Sequence, residues 1–136
     1  KIDDFELISF DNEKNINSSV VKKNNFTLIN FWASWCNPCR LEHNFLMLLN
    51  QNTKIKIIGV NFKDNKNSAL KFLSSLGNPY DILAKDSDGK SSIKFGVYGI
   101  PESILIDSDF IIIKKFIGPL NENDYKEILT ILKTNE

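Results

Sequence analysis

With 136 residues, 42% of them hydrophobic and 11% aromatic, the chain is long enough to bury one sizeable core, and a single domain spanning residues 1–136 is expected. Seventeen lysines and arginines balance seventeen aspartates and glutamates, so no global field draws the protein to nucleic acid or to an anionic membrane surface. No apolar run approaches the roughly 20 residues of a spanning helix and no signal peptide opens the chain, so the polypeptide is expected to be soluble. Its start at Lys1 rather than methionine suggests a trimmed or mature form that has lost a leader or membrane anchor.

In chain order, a strand is predicted around "ISF" near residue 9 and a short helix over Ile16 to Lys22. "FTLINFWA", residues 26 to 33, is an apolar run rich in aromatic and branched residues. It reads as a buried strand that delivers the chain to Trp35 and Cys36. Pro38 suits the first helical position, and Leu41, Phe45, Leu48 and Leu49 then recur at helical spacing. "KIKIIGVNF", 54 to 62, is a second strand, and "SALKFLSSLG", 68 to 77, a helix stopped by Gly77. This order of strand, helix, strand and helix makes a parallel unit.

The second half predicts a short strand, a turn at "DSDG" and a short helix around Ser91 to Phe95. "PESILID", 101 to 107, and "FIIIKKFIG", 110 to 118, read as an antiparallel hairpin closed by a tight "DSD" turn. An amphipathic helix carrying Tyr125, Ile128, Leu129 and Leu132 on one side ends the chain. There are no internal repeats, no long linker and no low-complexity segment. A three-layer α/β sandwich follows.

The only two cysteines, Cys36 and Cys39, and the only histidine, His43, fall within eight residues. A disulfide across so small a loop restrains the unfolded chain little, so the pair is there for chemistry. Structural zinc wants four ligands, typically two such pairs or a pair with two histidines, and this chain has one pair and His43. At a helix N-terminus, unpaired amides and the helix dipole favour a thiolate, which makes Cys36 the expected nucleophile. Cys39, a turn deeper, would resolve the mixed disulfide. Glu42 lies one helical turn beyond Cys39, within reach of the deeper thiol. His43 stands four residues from Cys39 on the same helical face; a metal reading competes there with that of an ordinary surface histidine, which is the expectation adopted.

"FWASWCNPC" resembles the thioredoxin-family active site. "GVNFKD" at 59 to 64, "LGNPY" at 76 to 80 and above all "GVYGIPE" at 96 to 102 are similar to the cytochrome c maturation branch, the CcmG or DsbE type of thiol:disulfide oxidoreductase. The resemblance covers nearly the whole chain, and the TlpA and ResA group are close relatives. It implies a thioredoxin-like α/β/α sandwich with a mixed central sheet. It also implies a cis peptide bond before Pro101, facing the cysteine pair and exposing the backbone of Ile100 to an extended substrate segment; without the resemblance, Pro101 would read as a proline opening a strand.

Glu42, Tyr98 and Glu102 match the acidic active-site surroundings of that branch. The alternatives are solvated carboxylates for Glu42 and Glu102 and a half-buried aromatic for Tyr98. Asn30 stands where thioredoxin carries a buried aspartate, and since an amide cannot accept a proton, Glu42 becomes the candidate acceptor. Trp35 is expected to flank the nucleophile and meet partners, and Trp32 to lie in the core. The "NP" dipeptide, including Pro38, helps set the redox potential.

The function implied is a dithiol reductase of an oxidising compartment, the periplasm, tethered to the inner membrane by an N-terminal segment. It would act as a monomer, receive electrons from a membrane thiol transporter of the DsbD or CcdA type, and pass them to the heme-binding cysteines of apocytochrome c or to a maturation partner. No organic cofactor and no metal is expected. A broader TlpA- or ResA-like reductase is the alternative. A thioredoxin-like copper chaperone is the rival of another class, although such carriers space their cysteines more widely and draw a histidine from a distant loop. A peroxidase would need a threonine-containing cysteine loop that is not found here.

Overall fold

The computed structural model describes residues 1–135. In chain order it runs β1 (Glu6–Ser9), β2 (Asn15–Asn17), α1 (Ser19–Lys22), β3 (Phe26–Trp32), α2 (Asn37–Asn52), β4 (Lys56–Phe62) and α3 (Lys66–Leu76). It continues with β5 (Ile82–Asp86), α4 (Lys90–Lys94), β6 (Glu102–Asp107), β7 (Ile112–Ile117) and α5 (Glu122–Thr134). The strands form one mixed seven-stranded sheet of order β2-β1-β5-β4-β3-β6-β7. β3, β4 and β5 are parallel, and the remaining pairings are antiparallel.

Strand alternation sorts the core into two layers. Leu28 and Trp32 of β3, Ile57 of β4 and Leu105 of β6 pack with Leu46 and Leu49 of α2, Phe72 of α3 and Ile128 of α5. Ile29 and Phe31 of β3, Ile58 and Val60 of β4, and Ile104 and Ile106 of β6 face the other way, onto Val21 of α1 and Phe95 at the end of α4. The sheet is thus covered on both faces, in the thioredoxin-like three-layer arrangement. β3 lies centrally, and its end is where the cysteine pair begins.

Four local expectations need correction. Residues 15 to 17 are not helical: Leu7 pairs with Ile16 and Glu6 with Asn17 in a hairpin, and only Ser19–Lys22 forms a helical turn. Helix α2 starts at Asn37, so Pro38 takes the second helical position. Leu41 is 74% exposed rather than part of the apolar face, because the helix turns Cys39, Glu42, His43, Leu46 and Leu49 inward instead. The β6–β7 turn is longer than "DSD": Asp107 Oδ1 accepts from Asp109 N and Ile111 N, and Phe110 adopts a left-handed φ of 64° before β7 begins. Among the described residues no helix is long and apolar enough to cross a membrane.

Candidate active site

β3 leads through Ala33 and Ser34 to Trp35 and then to Cys36, which is the N-cap of α2 in an extended conformation. The loop is anchored on the segment after β4. Asp64 accepts from Ser34 N at 2.7 Å and from Ser34 Oγ at 2.8 Å, and Trp35 Nε1 donates to Lys63 O at 3.0 Å. Arg40 adds a bond to Ser34 O at 3.3 Å while lying over the Phe72 ring. Trp35 remains 58% exposed, a flat apolar surface next to the cysteines, whereas Trp32 is buried and stacks on Tyr80.

Cys36 and Cys39 form a disulfide with a Cα–Cα separation of 5.3 Å. Cys36 Sγ accepts from Cys39 N at 3.2 Å. An N–H that α2 leaves without a backbone partner therefore points at this sulfur, and the same donor would stabilise a Cys36 thiolate after reduction. Cys39 sits inside the first helical turn, facing the core. The two exposures are both small, 4% for Cys36 and 1% for Cys39, so position along the helix, more than exposure, distinguishes the two sulfurs.

Below the pair lies a buried polar cluster. Glu42 is fully buried, which removes the reading of a solvated carboxylate; its Oε2 accepts from Asn30 Nδ2 at 2.8 Å and its Oε1 from Leu120 N at 3.1 Å. Asn30 Nδ2 also donates to Ser103 Oγ at 3.0 Å, and its Oδ1 accepts from the Tyr80 hydroxyl at 2.8 Å. Burial raises Glu42 from the ordinary carboxylate range to about 7, against the opposing hydrogen bonds from Asn30 and Leu120. Burial, helped by the Glu42 charge, also pushes the Tyr80 phenol well above its usual value. The register explains how the groups meet. Asn30 is flanked by Gly59 on β4 and Ser103 on β6, and the space over Gly59 is filled by the Tyr80 ring. A Cβ on Gly59 would stand 2.5 Å from Tyr80 Cδ1. Gly59→Ala is therefore expected to destabilise the fold by about 2 kcal/mol, read as a lower urea midpoint at unchanged slope.

The other predicted positions are placed as follows. The Ile100–Pro101 peptide bond is cis; Pro101 is buried, and the half-buried Ile100 packs against the cluster that contains both cysteines. Pro101 O accepts from Gly118 N at 3.0 Å. Glu102 is 6% exposed and pairs with Lys115 at 3.3 Å, so it too is no solvated carboxylate. Lys115 also reaches Gly96 O, which ties β7 to the "GVYG" segment. By strand alternation Glu102 faces away from Asn30 and Glu42, so the two acidic residues are not brought together. Tyr98 is 79% exposed, not half-buried, and Pro38 is exposed at the head of α2.

His43 is a further correction. It is 3% exposed rather than a surface residue, because the rotation of α2 that exposes Leu41 turns it inward. Its Nε2 meets Gly77 O at 2.7 Å, and its ring lies edge-on to Phe72. Against a carbonyl this nitrogen must carry the proton, and burial lowers the pKa of the imidazole. Among the described residues no group of three His, Cys, Asp or Glu side chains is arranged to hold a metal ion. Tyr80, Ser103 and Asp64 had no functional assignment in the sequence. Tyr80 and Asp64 lie in the "LGNPY" and "GVNFKD" segments, the one signal that could have found them.

A cysteine pair at the head of a helix, delivered by an inner strand of a three-layer sandwich whose β6 is preceded by a cis-proline, defines the thioredoxin-like class. The chain belongs to the Redoxin family, whose profile matches residues 1–132. It is 46% identical over 105 residues to the thiol:disulfide interchange protein CycY of Rhizobium leguminosarum bv. viciae, covering 77% of this chain and 56% of that protein. It is 39% identical over 124 residues to the thiol:disulfide interchange protein DsbE of Escherichia coli K12, covering 90% of this chain and 66% of that one. The chain thus spans less than two thirds of the length of these curated relatives. Among solved structures, one assigned as the thiol:disulfide interchange protein DsbE of Chlorobium tepidum superposes with a TM-score of 0.79 at 27% identity, covering 98% of this chain and 94% of that one.

Proposed function

We propose that the protein is a thiol:disulfide oxidoreductase that acts as a dithiol reductant in cytochrome c biogenesis. The carrying observation is the Cys36–Cys39 disulfide, with the Cys36 sulfur capping α2 and the carboxyl of Glu42 buried one turn below. In the reduced protein the Cys36 thiolate attacks one sulfur of a partner disulfide, forming a mixed disulfide and releasing the partner's other sulfur as a thiolate. Cys39 gives up its proton and attacks Cys36 Sγ, which releases the second partner thiolate and closes the protein's own disulfide. Two electrons pass to the partner. Glu42, near neutral in proton affinity, is the group suited to take the Cys39 proton.

The partner we favour is the heme-binding cysteine pair of apocytochrome c or a maturation protein carrying it, with electrons resupplied by a membrane thiol transporter. An oxidising compartment such as the periplasm is where such a reductant is needed, and a membrane tether would raise its local concentration. The CycY and DsbE relatives, both named thiol:disulfide interchange proteins, support the exchange chemistry on which this reading rests. Trp35, exposed and adjoining Cys36 in the chain, offers the partner an aromatic surface.

The deciding experiment is the equilibrium potential of the pair, titrated against a dithiol buffer with mass-tagged alkylation. A value near the roughly −270 mV of thioredoxin, or somewhat above it, is expected for a reductant. A value near the roughly −120 mV of a strong oxidant would reverse the electron flow and overturn the proposal. Reduction of an apocytochrome-like disulfide no faster than an unrelated one would move the assignment to a broader reductase of the TlpA or ResA kind.

A further inference from the structure

The exchange chemistry makes no use of Tyr80, yet the structure fixes this side chain from three sides. Helix α2 holds its loop at two carbonyls: His43 Nε2 donates to Gly77 O at 2.7 Å and Asn50 Nδ2 to Pro79 O at 3.0 Å. The ring stacks on Trp32 with centroids 5.4 Å apart, over the bare Cα of Gly59. Its hydroxyl then reaches Asn30 Oδ1.

A carboxamide is nearly symmetric in shape but opposite in polarity at its two ends. Asn30 can present either end to Glu42, and only one of them stabilises a carboxylate. The Tyr80 hydroxyl removes the ambiguity. Among the described residues its O–H finds an acceptor in that end of Asn30 alone, and placing nitrogen there would leave a buried hydroxyl proton unpaired, so that end is oxygen and both Nδ2 hydrogens go to Glu42 Oε2 and Ser103 Oγ.

We propose that Tyr80 is a positioning residue of the redox centre: its hydroxyl holds the Asn30 carboxamide with the nitrogen toward Glu42, so that the carboxylate form of Glu42 always meets a donor. The proposal rests on the reading of Cys36 and Cys39 as the exchange centre with Glu42 as proton acceptor. Without the hydroxyl, Asn30 can turn Oδ1 toward Glu42, where it accepts from the protonated acid and repels the carboxylate. The protonated form then gains an arrangement that the intact network forbids.

The other titratable groups around Glu42 are occupied elsewhere. On α2, His43 is turned to Gly77 O and Arg40 lies over Phe72, while Cys36 and Cys39 are joined to each other. On β6 and β7, Glu102 pairs with Lys115. On α5, Asp124 completes the capping box with Asn121, and the Tyr125 hydroxyl accepts from Asn52. Tyr80 is left as the titratable side chain linked to Glu42 through Asn30.

The test is a carbon-13 NMR titration of the Glu42 carboxyl in the oxidised protein and in its Tyr80→Phe variant. The midpoint is expected to rise by about 1 pH unit in the variant, the worth of one buried hydrogen bond. The pH profile of mixed-disulfide resolution by Cys39 should rise with it. An unmoved Glu42 midpoint in a folded Tyr80→Phe protein overturns the proposal. Should that variant not fold, the wild-type protein still decides. The Asn30 Nδ2 proton resonances must shift with the Glu42 midpoint, and their failure to do so overturns the orientation. The two NMR readouts need no partner, so failure of the functional reading, seen as wild-type protein that reduces no disulfide, is distinguishable from failure of this one.

Discussion

Cys36→Ser is expected to bring disulfide reduction down to the uncatalysed rate, whereas Cys39→Ser should form one mixed disulfide per molecule and stop there. The asymmetry follows from where the two sulfurs sit. Cys36 lies outside the helix as its cap, with an N–H donor already directed at the sulfur, so its thiolate is the one that is stabilised and delivered to a partner. Cys39 is 1% exposed within the first turn, and the atom it can reach is the sulfur of Cys36. A mixture of each reduced variant with a small disulfide-bonded peptide, followed by mass spectrometry, separates the two outcomes. Turnover surviving in Cys36→Ser would assign the attack to the deeper sulfur and reverse the roles.

The second large effect is on stability. Glu42 is fully buried, and its proton affinity rises from an ordinary 4.5 to about 7 on folding. Between those two values the folded chain binds a proton that the unfolded chain has lost, so stability falls as pH rises through this window and levels off above it. The span corresponds to about 3 kcal/mol from pH 4 to pH 8. Glu42→Gln should abolish this slope. It should also lower stability at pH 4, where Glu42 is protonated, by about 1 kcal/mol, because the hydroxyl oxygen of the acid keeps a lone pair for the second of the Asn30 and Leu120 donors and an amide nitrogen does not. Urea unfolding of the oxidised protein at several pH values gives both numbers. A wild-type curve with the same slope as Glu42→Gln would show that this carboxyl does not control the pH response.

The residues at the centre of these predictions also mark where sequence reasoning succeeded and where it stopped. β3 was legible because both its faces are buried, which leaves an unbroken apolar run ending at the cysteines. The inward face of α2 was not. Two of its five buried residues, Glu42 and His43, are polar, and their burial depends on partners remote in the chain: Asn30, Leu120 and Gly77. Periodicity counts apolar residues, so it selected Leu41, and His43, weighed only against a metal ligand, was read as an ordinary surface histidine. The same limit applies to Ser103, whose neighbour Asn30 lies 73 residues away. Glu42 was found through its spacing from Cys39 and the family resemblance; neither could reveal that it is fully buried. The β1–β2 hairpin was missed for a simpler reason, since three-residue "NIN" carries too little pattern to be read as a strand.

The loop that presents the disulfide shares its fastenings with a second loop. Ser34 and Trp35 hold Asp64 and Lys63, and the next residue, Asn65, caps α3 by accepting from Ser68 N. A protein that docks on the indole of Trp35 therefore leans on the start of α3 as well, although Ser34 and Asp64 are 30 residues apart in sequence. Engagement at the sulfur edge becomes a mechanical load on a neighbouring helix, and slowed amide exchange in the first turn of α3 would record each visit of a partner without any change at the cysteines.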